Sequence, residues 1–237
     1  MSFLILVRHG QSIWNLEGKF TGWVDVDLTE KGKLEAEKAG SLIKDKNIKI
    51  DFYYSSLQLR ANNTLKIIQK TLNDKKNFIK AWQLNERHYG ALTGLNKLEM
   101  AKKIGENNIF EFRRSWEKKP EPLDKKSPYH PLNIQVYKEI SKKVIPDTES
   151  LKDTYERVFK YFQKEIQKKL LDKNVLVAAH GNSIRALCKY LFKLDNTQIS
   201  DLEIPTGNPL IIELNNGIEI KSCEYLDKER SKDLLIF

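Results

Sequence analysis

Phe3-Leu4-Ile5-Leu6-Val7-Arg8-His9-Gly10-Gln11-Ser12 is the stretch on which the fold turns. Five apolar residues run without interruption, then give way at once to a cation, an imidazole and a glycine. An unbroken apolar run bounded by a turn signal marks a strand buried on both faces, as in a parallel sheet covered by helices. In open α/β sheets ligands bind outside the carboxyl ends of such strands, where Arg8 and His9 stand. A guanidinium fork suits an anion, and an imidazole offers a nitrogen nucleophile. Far along the chain the design recurs: Asn174-Val175-Leu176-Val177-Ala178-Ala179 runs into His180-Gly181-Asn182-Ser183. Two buried strands, each ending in His-Gly, can set two imidazoles over one phosphate.

The 237 residues suffice for one large α/β domain with a substantial core. No apolar stretch approaches the length of a membrane span, and strand sequence starts at Phe3, leaving no room for a signal peptide. Cys188 and Cys223 lie far apart with no metal spacing, so two reduced thiols of a cytoplasmic protein are expected. The net charge of +9 comes from scattered lysines, such as Lys75-Lys76 and Lys142-Lys143. Without an aromatic-interleaved basic stripe, these read as a solvated surface; neither nucleic acid nor membrane is an expected partner. Against that background the eight arginines stand out, because bidentate recognition of phosphate or carboxylate belongs to arginine.

The loop Gly10–Leu28 holds Ser12, Asn15, Thr21 and Gly22, residues able to line a phosphate pocket or simply to make a connection pinned by Trp14 and Trp23. Thr29 and the spacing of Leu34, Ala39, Leu42 and Ile43 predict a helix over about 30–46. Asp51–Ser55 reads as the second strand, and Arg60 falls in the first turn of the helix after it. A cation is unfavourable there, so something anionic should lie in front of it. Phe78–Trp82 reads as an edge strand. Glu86 then sits among Arg87, His88 and Tyr89. Residues 98–119 read as helix in two pieces broken near Gly105, the second carrying Arg113-Arg114. Two consecutive arginines cannot face the same way, so one pairs locally while the other reaches a cleft. Prolines make 120–146 irregular, with His130 a loop histidine. A helix from Asp147 through Lys169 follows, then one from Ser183 to Phe192 whose N-terminus points at His180. A hairpin turning at Asn215-Asn216-Gly217 closes the chain before a short tail.

The strings RHGQSIWN, FTGW, S-x-x-x-R-A-x-x-T and LNERHYG-A-LTGLNK resemble the histidine phosphatase superfamily and, within it, the cofactor-dependent phosphoglycerate mutases. The resemblance covers nearly the whole chain to Tyr225. It implies one histidine-phosphatase-like domain over 1–237, a three-layer α/β/α sandwich with a mainly parallel sheet and a helical and loop lid at about 92–148. It implies interconversion of 3-phosphoglycerate and 2-phosphoglycerate in glycolysis and gluconeogenesis, through a phosphohistidine primed by 2,3-bisphosphoglycerate. His9 would carry the phosphoryl group and Glu86 would act as general acid and base. Arg8, Arg60 and His180 would neutralise charge on the equatorial oxygens. Substrate contacts carry over to Ser12, Asn15, Thr21, Gly22, Arg87, His88, Tyr89, Lys97, Arg113, Arg114, Gly181 and Asn182. Gln11 departs from the more frequent glutamate, and the short tail departs from a family segment that helps close the site, so some leakage of phosphoryl groups to water is expected. The family also implies a homodimer or homotetramer. No metal is expected, since Asp25 and Asp27 read as turn residues and no acidic cluster stands beside the phosphate-binding set. Rival readings are a phosphatase on the same fold and an idle polyanion binder. The ERHYG and Arg-Arg strings speak against the first, and the unbroken site residues against the second.

Overall fold

The computed structural model describes residues 1–215 and 219–231. The elements run β1 (Ser2–Arg8), α1 (Ile13–Leu16), α2 (Glu30–Asp45), β2 (Phe52–Ser55), α3 (Leu59–Thr71) and β3 (Ile79–Lys80). They continue with α4 (Lys97–Ile104), α5 (Glu106–Arg114), α6 (Leu151–Tyr161), β4 (Val175–Ala179), α7 (Gly181–Leu191), α8 (Asn196–Asp201), β5 (Pro209–Asn215) and β6 (Glu219–Tyr225). The sheet order is β3-β2-β4-β1-β5-β6. The pairs β1–β4, β4–β2 and β2–β3 are parallel, while β5 runs antiparallel to both β1 and β6.

The unbroken apolar runs fill both faces of this sheet, as the alternation of strand side chains requires. Leu4, Leu6, Val175, Val177 and Ala179 face a core closed by Val158 of α6, by Phe162 just after it, and by Ile184 and Leu187 of α7. Ile5, Val7, Leu176 and Ala178 face the opposite core, closed by Ala39 and Ile43 of α2 and Leu65 and Ile68 of α3. The result is the expected three-layer α/β/α arrangement. Because β1 and β4 are parallel neighbours with Arg8 opposite Ala179, their carboxyl ends coincide, and the residues following them are brought together.

Several boundaries differ from the sequence reading. The second half of the 98–119 helix stops at Arg114, where Ser115 turns to extended backbone. The helix expected from Asp147 starts at Leu151, because Ser150 caps it through the Asp153 amide while Thr148 and Glu149 are engaged elsewhere. It holds α geometry only to Tyr161. A π turn over Phe162–Ile166 and a 3₁₀ segment over Gln167–Leu171 complete it, and within the π turn the Glu165 carbonyl accepts from the Tyr54 hydroxyl. The helix expected at Ser183 begins two residues earlier, since Ser183 Oγ caps the His180 amide at 3.0 Å from inside the first turn. His130 is no loose loop residue: it is fully buried and bonds Asp147 through Nε2 at 3.0 Å. Part of the hairpin turn (Asn216, Gly217) and the apolar end of the tail lie outside the described residues.

Candidate active site

His9 extends β1 by one residue, its amide donating to the Ala179 carbonyl at 3.0 Å. The chain then turns through Gly10 against the first turn of α2. A Cβ at Gly10 would lie 2.1 Å from the Gly32 carbonyl oxygen, so the turn tolerates no side chain there. His9 Nδ1 lies 2.7 Å from the Gly10 carbonyl oxygen. A carbonyl only accepts, so Nδ1 carries the proton and Nε2 keeps its lone pair. Burial holds this imidazole well below its ordinary pKa, reinforced by the Arg60 and Arg8 guanidiniums, so it is neutral at pH 7. Its Nε2 is therefore the lone-pair nitrogen, and it accepts a hydrogen bond from Arg60 Nε at 3.3 Å.

His180 caps α7 from the end of β4, and its ring centroid lies 5.0 Å from that of His9 at 60°. It too is buried and held neutral, by desolvation first and then by Arg60 and His9. Arg60 reaches the pair from the first turn of α3. Its unfavourable position at a helix N-terminus is offset by the Val24 and Gly22 carbonyls, each accepting from its fork at 2.9 Å. Arg8 donates from NH1 to the Ile204 carbonyl at 2.7 Å, while its Nε is buried and without a hydrogen-bond partner among the described residues.

These groups wall a cavity of about 80 Å³ lined by Arg8, His9, Asn15, Thr21, Gly22, Arg60, Glu86, Tyr89, Lys97 and Arg113. All ten are site residues expected from the sequence. Four cations and one carboxylate meet there, an arrangement fit for a polyanion. Lys97 is pushed down to about 8, by burial first and then by Arg113 and Arg8. Glu86 is nearly buried; its Oε1 accepts from the Arg87 amide at 2.7 Å and the Asn182 amide at 3.3 Å.

The remaining seven stand behind or beside this wall. His180 backs His9. Gly181 opens α7 beside Arg8 and Glu86, where a Cβ would lie in ordinary contact, 3.6 Å from Arg8 Nε. Asn182 bonds the Tyr89 hydroxyl through Nδ2 at 3.0 Å. Ser12 is turned inward, its Oγ capping α1 through the Asn15 amide at 3.3 Å. Arg87 is spent on the carbonyls of Glu149 and Lys118, and His88 Nδ1 accepts from the Gly90 amide at 3.0 Å. These two are not brought to the cavity. Arg113 and Arg114 divide as their spacing demands: Arg113 lines the cavity, and Arg114 pairs with Glu203 and the Leu202 carbonyl. Arg185 is buried and holds Asn182 Oδ1 at 2.8 Å.

Three supports escaped the sequence reading. Gln58 accepts from the Glu86 amide at 2.8 Å and donates to the Gly22 carbonyl at 2.8 Å, tying the acid to the first loop. Arg157 and Glu149 form a buried ion pair at 2.6 Å, from which Arg157 also donates to the carbonyls of Gln83, Asn85 and Glu86. A glutamine before a helix carries no signal, but Arg157, an arginine in a lysine-rich helix, does.

Comparison with known proteins agrees with this geometry. The model of the histidine phosphatase superfamily (branch 1) matches residues 4–130 and 115–221. A 2,3-bisphosphoglycerate-dependent phosphoglycerate mutase of Pelagibacter ubique is 68% identical, with 100% of both chains covered. One of Hydrogenobaculum is 48% identical over 98% of this chain and 94% of its own. Among solved structures, the mycobacterial glucosyl-3-phosphoglycerate phosphatase superposes with a TM-score of 0.70 at 20% identity, covering 95% of this chain and 98% of its own, which speaks to the fold alone. By motif, fold and relatives, the chain belongs to the histidine phosphatase superfamily and, within it, to the 2,3-bisphosphoglycerate-dependent phosphoglycerate mutases.

Proposed function

We infer that this chain interconverts 3-phosphoglycerate and 2-phosphoglycerate by way of a phosphohistidine on His9. The observation that carries the reading is the neutral His9 imidazole, its Nε2 lone pair accepting from Arg60 at a cavity walled by Arg8, Arg60, Lys97 and Arg113. 2,3-Bisphosphoglycerate, which names the dependence of the relatives, supplies the priming phosphoryl group. Its three anionic groups suit a wall with four cations and a buried Arg8 Nε that has no hydrogen-bond partner among the described residues.

In this reading His9 Nε2 attacks phosphorus in line. Arg8, Arg60 and His180 meet the charge on the equatorial oxygens, preorganised in a site sheltered from water. Glu86, across the cavity, gives a proton to the leaving oxygen and takes one from the hydroxyl that attacks next. Lys97 and Arg113 hold the carboxylate and the non-reacting end. The stretch 92–148 serves as the lid. It is tied down by the Ala91 amide on the Glu121 carbonyl at 2.8 Å and by the Tyr137 hydroxyl on the Trp23 carbonyl at 2.5 Å. A divalent cation would meet four positive side chains and the single carboxylate of Glu86, so the transfer is proposed to run without metal.

The test is turnover of 3-phosphoglycerate with and without 2,3-bisphosphoglycerate, each with and without excess EDTA. Stimulation by the bisphosphate and indifference to EDTA are expected. Turnover lost on chelation and restored by Mg²⁺ or Mn²⁺ would refute the metal-free mechanism. Hydrolysis without isomerisation would make the chain a phosphatase.

A further inference from the structure

Ser56 follows β2 and is fully buried beside His180. Its Oγ makes two hydrogen bonds, one with the Gln58 amide at 3.1 Å and one with His180 Nε2 at 2.7 Å. A hydroxyl has one proton and two lone pairs. The Gln58 amide can only donate, so it occupies a lone pair. The hydroxyl proton then needs an acceptor, and the one it meets among the described residues is His180 Nε2. An accepting Nε2 on a neutral ring puts the ring proton on Nδ1. That Nδ1 is buried and has no hydrogen-bond partner among the described residues, in a ring 5.0 Å from that of His9. The opposite tautomer would leave the Ser56 proton without an acceptor among the described residues.

We propose that Ser56 is a positioning residue that fixes His180 in the Nδ1–H tautomer, so that this imidazole meets the transferring phosphoryl group with a donor. The proposal rests on the reading that His9 carries that group. Ser56 touches neither substrate nor phosphorus in it and acts through His180 alone, as the outer partners of metal-bound histidines fix the tautomer of their rings.

The experiment is nitrogen NMR of the full chain labelled with ¹⁵N-histidine, the His180 signals being assigned by their loss in His180→Asn. In the wild type, Nδ1 should be protonated and Nε2 bare. In Ser56→Ala that preference should be lost, and phosphorylation of His9 by 2,3-bisphosphoglycerate should slow about 10–100-fold, with KM for 3-phosphoglycerate nearly unchanged. Ser56→Thr, which keeps the hydroxyl, should restore both the tautomer and the rate. A wild-type spectrum with the proton on Nε2 would overturn the proposal, and it needs no variant to fold. So would a folded Ser56→Ala protein with the wild-type tautomer and rate. Failure of the wild type to label His9 would instead overturn the functional reading, while the tautomer is still read directly.

Discussion

His9 and the arginine pair are where single side chains can be tested. His9→Ala removes Nε2, the lone-pair nitrogen, and should abolish both mutase activity and incorporation of a phosphoryl label. The wild-type label should be acid-labile and base-stable, and a label that survives in the variant would move the nucleophile elsewhere. Arg113 and Arg114 are adjacent in sequence but not equivalent in place. Arg113 faces the cavity, whereas Arg114 is held by Glu203 and the Leu202 carbonyl. Loss of a charged hydrogen bond costs about 1.5–3 kcal/mol, so Arg113→Ala should raise KM for 3-phosphoglycerate roughly ten- to hundredfold. Arg114→Ala should raise it only a few-fold, and equal losses would contradict the division. Legibility at this scale follows the same line. Residues that must meet an anion were visible in the chain, because arginine among lysines and histidine after a buried strand are chemically costly choices. Arg87 and His88 belong to an equally recognisable string, yet they bond backbone groups away from the cavity, each keeping one buried nitrogen without a partner among the described residues. Nothing in a sequence reports where a guanidinium finds its carbonyls.

Secondary-structure elements were legible wherever periodicity had few competitors. The runs of β1 and β4 and the apolar spacing of α2 and α3 announced themselves, and with them the sheet edge that carries the site. The starts of α6 and α7 were less legible, because side-chain caps from Ser150 and Ser183 decide them and either serine could as well have sat a turn away. Of what α6 does for the site the chain carries one sign, an arginine among its lysines. Its Arg157 donates to the Gln83, Asn85 and Glu86 carbonyls while paired with Glu149, so one helix holds the segment that presents the acid. Breaking a buried pair strands the other charge, at a cost of about 3–5 kcal/mol. Arg157→Ala should therefore lower the stability of the folded chain by about that much, measured by urea unfolding. In molecules still folded, kcat should fall more than binding of 3-phosphoglycerate, because the displaced group is Glu86. A loss below about 1 kcal/mol would show that the pair does not hold the loop.

Across the whole molecule, buried neutral imidazoles link the chemistry of the site to stability against acid. His9 and His180 are held well below their ordinary pKa by burial and by the arginines, and burial lowers His88 to about 3, helped by His130. In the unfolded chain each would titrate near its ordinary value of about 6.5. Above that value neither state is protonated, and these groups do not bear on stability. Below it the unfolded chain binds protons that the folded chain refuses, so stability falls as pH falls. Each imidazole that stays neutral in the folded state costs about 2 kcal/mol between pH 7 and pH 5. Urea unfolding at half-unit pH steps should thus show nearly constant stability from pH 8 to 7 and a steep loss from about 6.5 downward. The slope should correspond to an uptake of more than one proton on unfolding. Inorganic phosphate should reduce this loss for His9 and His180 but not for His88. An anion among Arg8, Arg60 and the two facing rings favours their charged forms in the folded chain, whereas His88 lies off the cavity. A stability curve flat to pH 5 would mean that the site imidazoles take up protons in the folded chain as readily as in the unfolded one, and burial and the arginines would not be what holds His9 neutral.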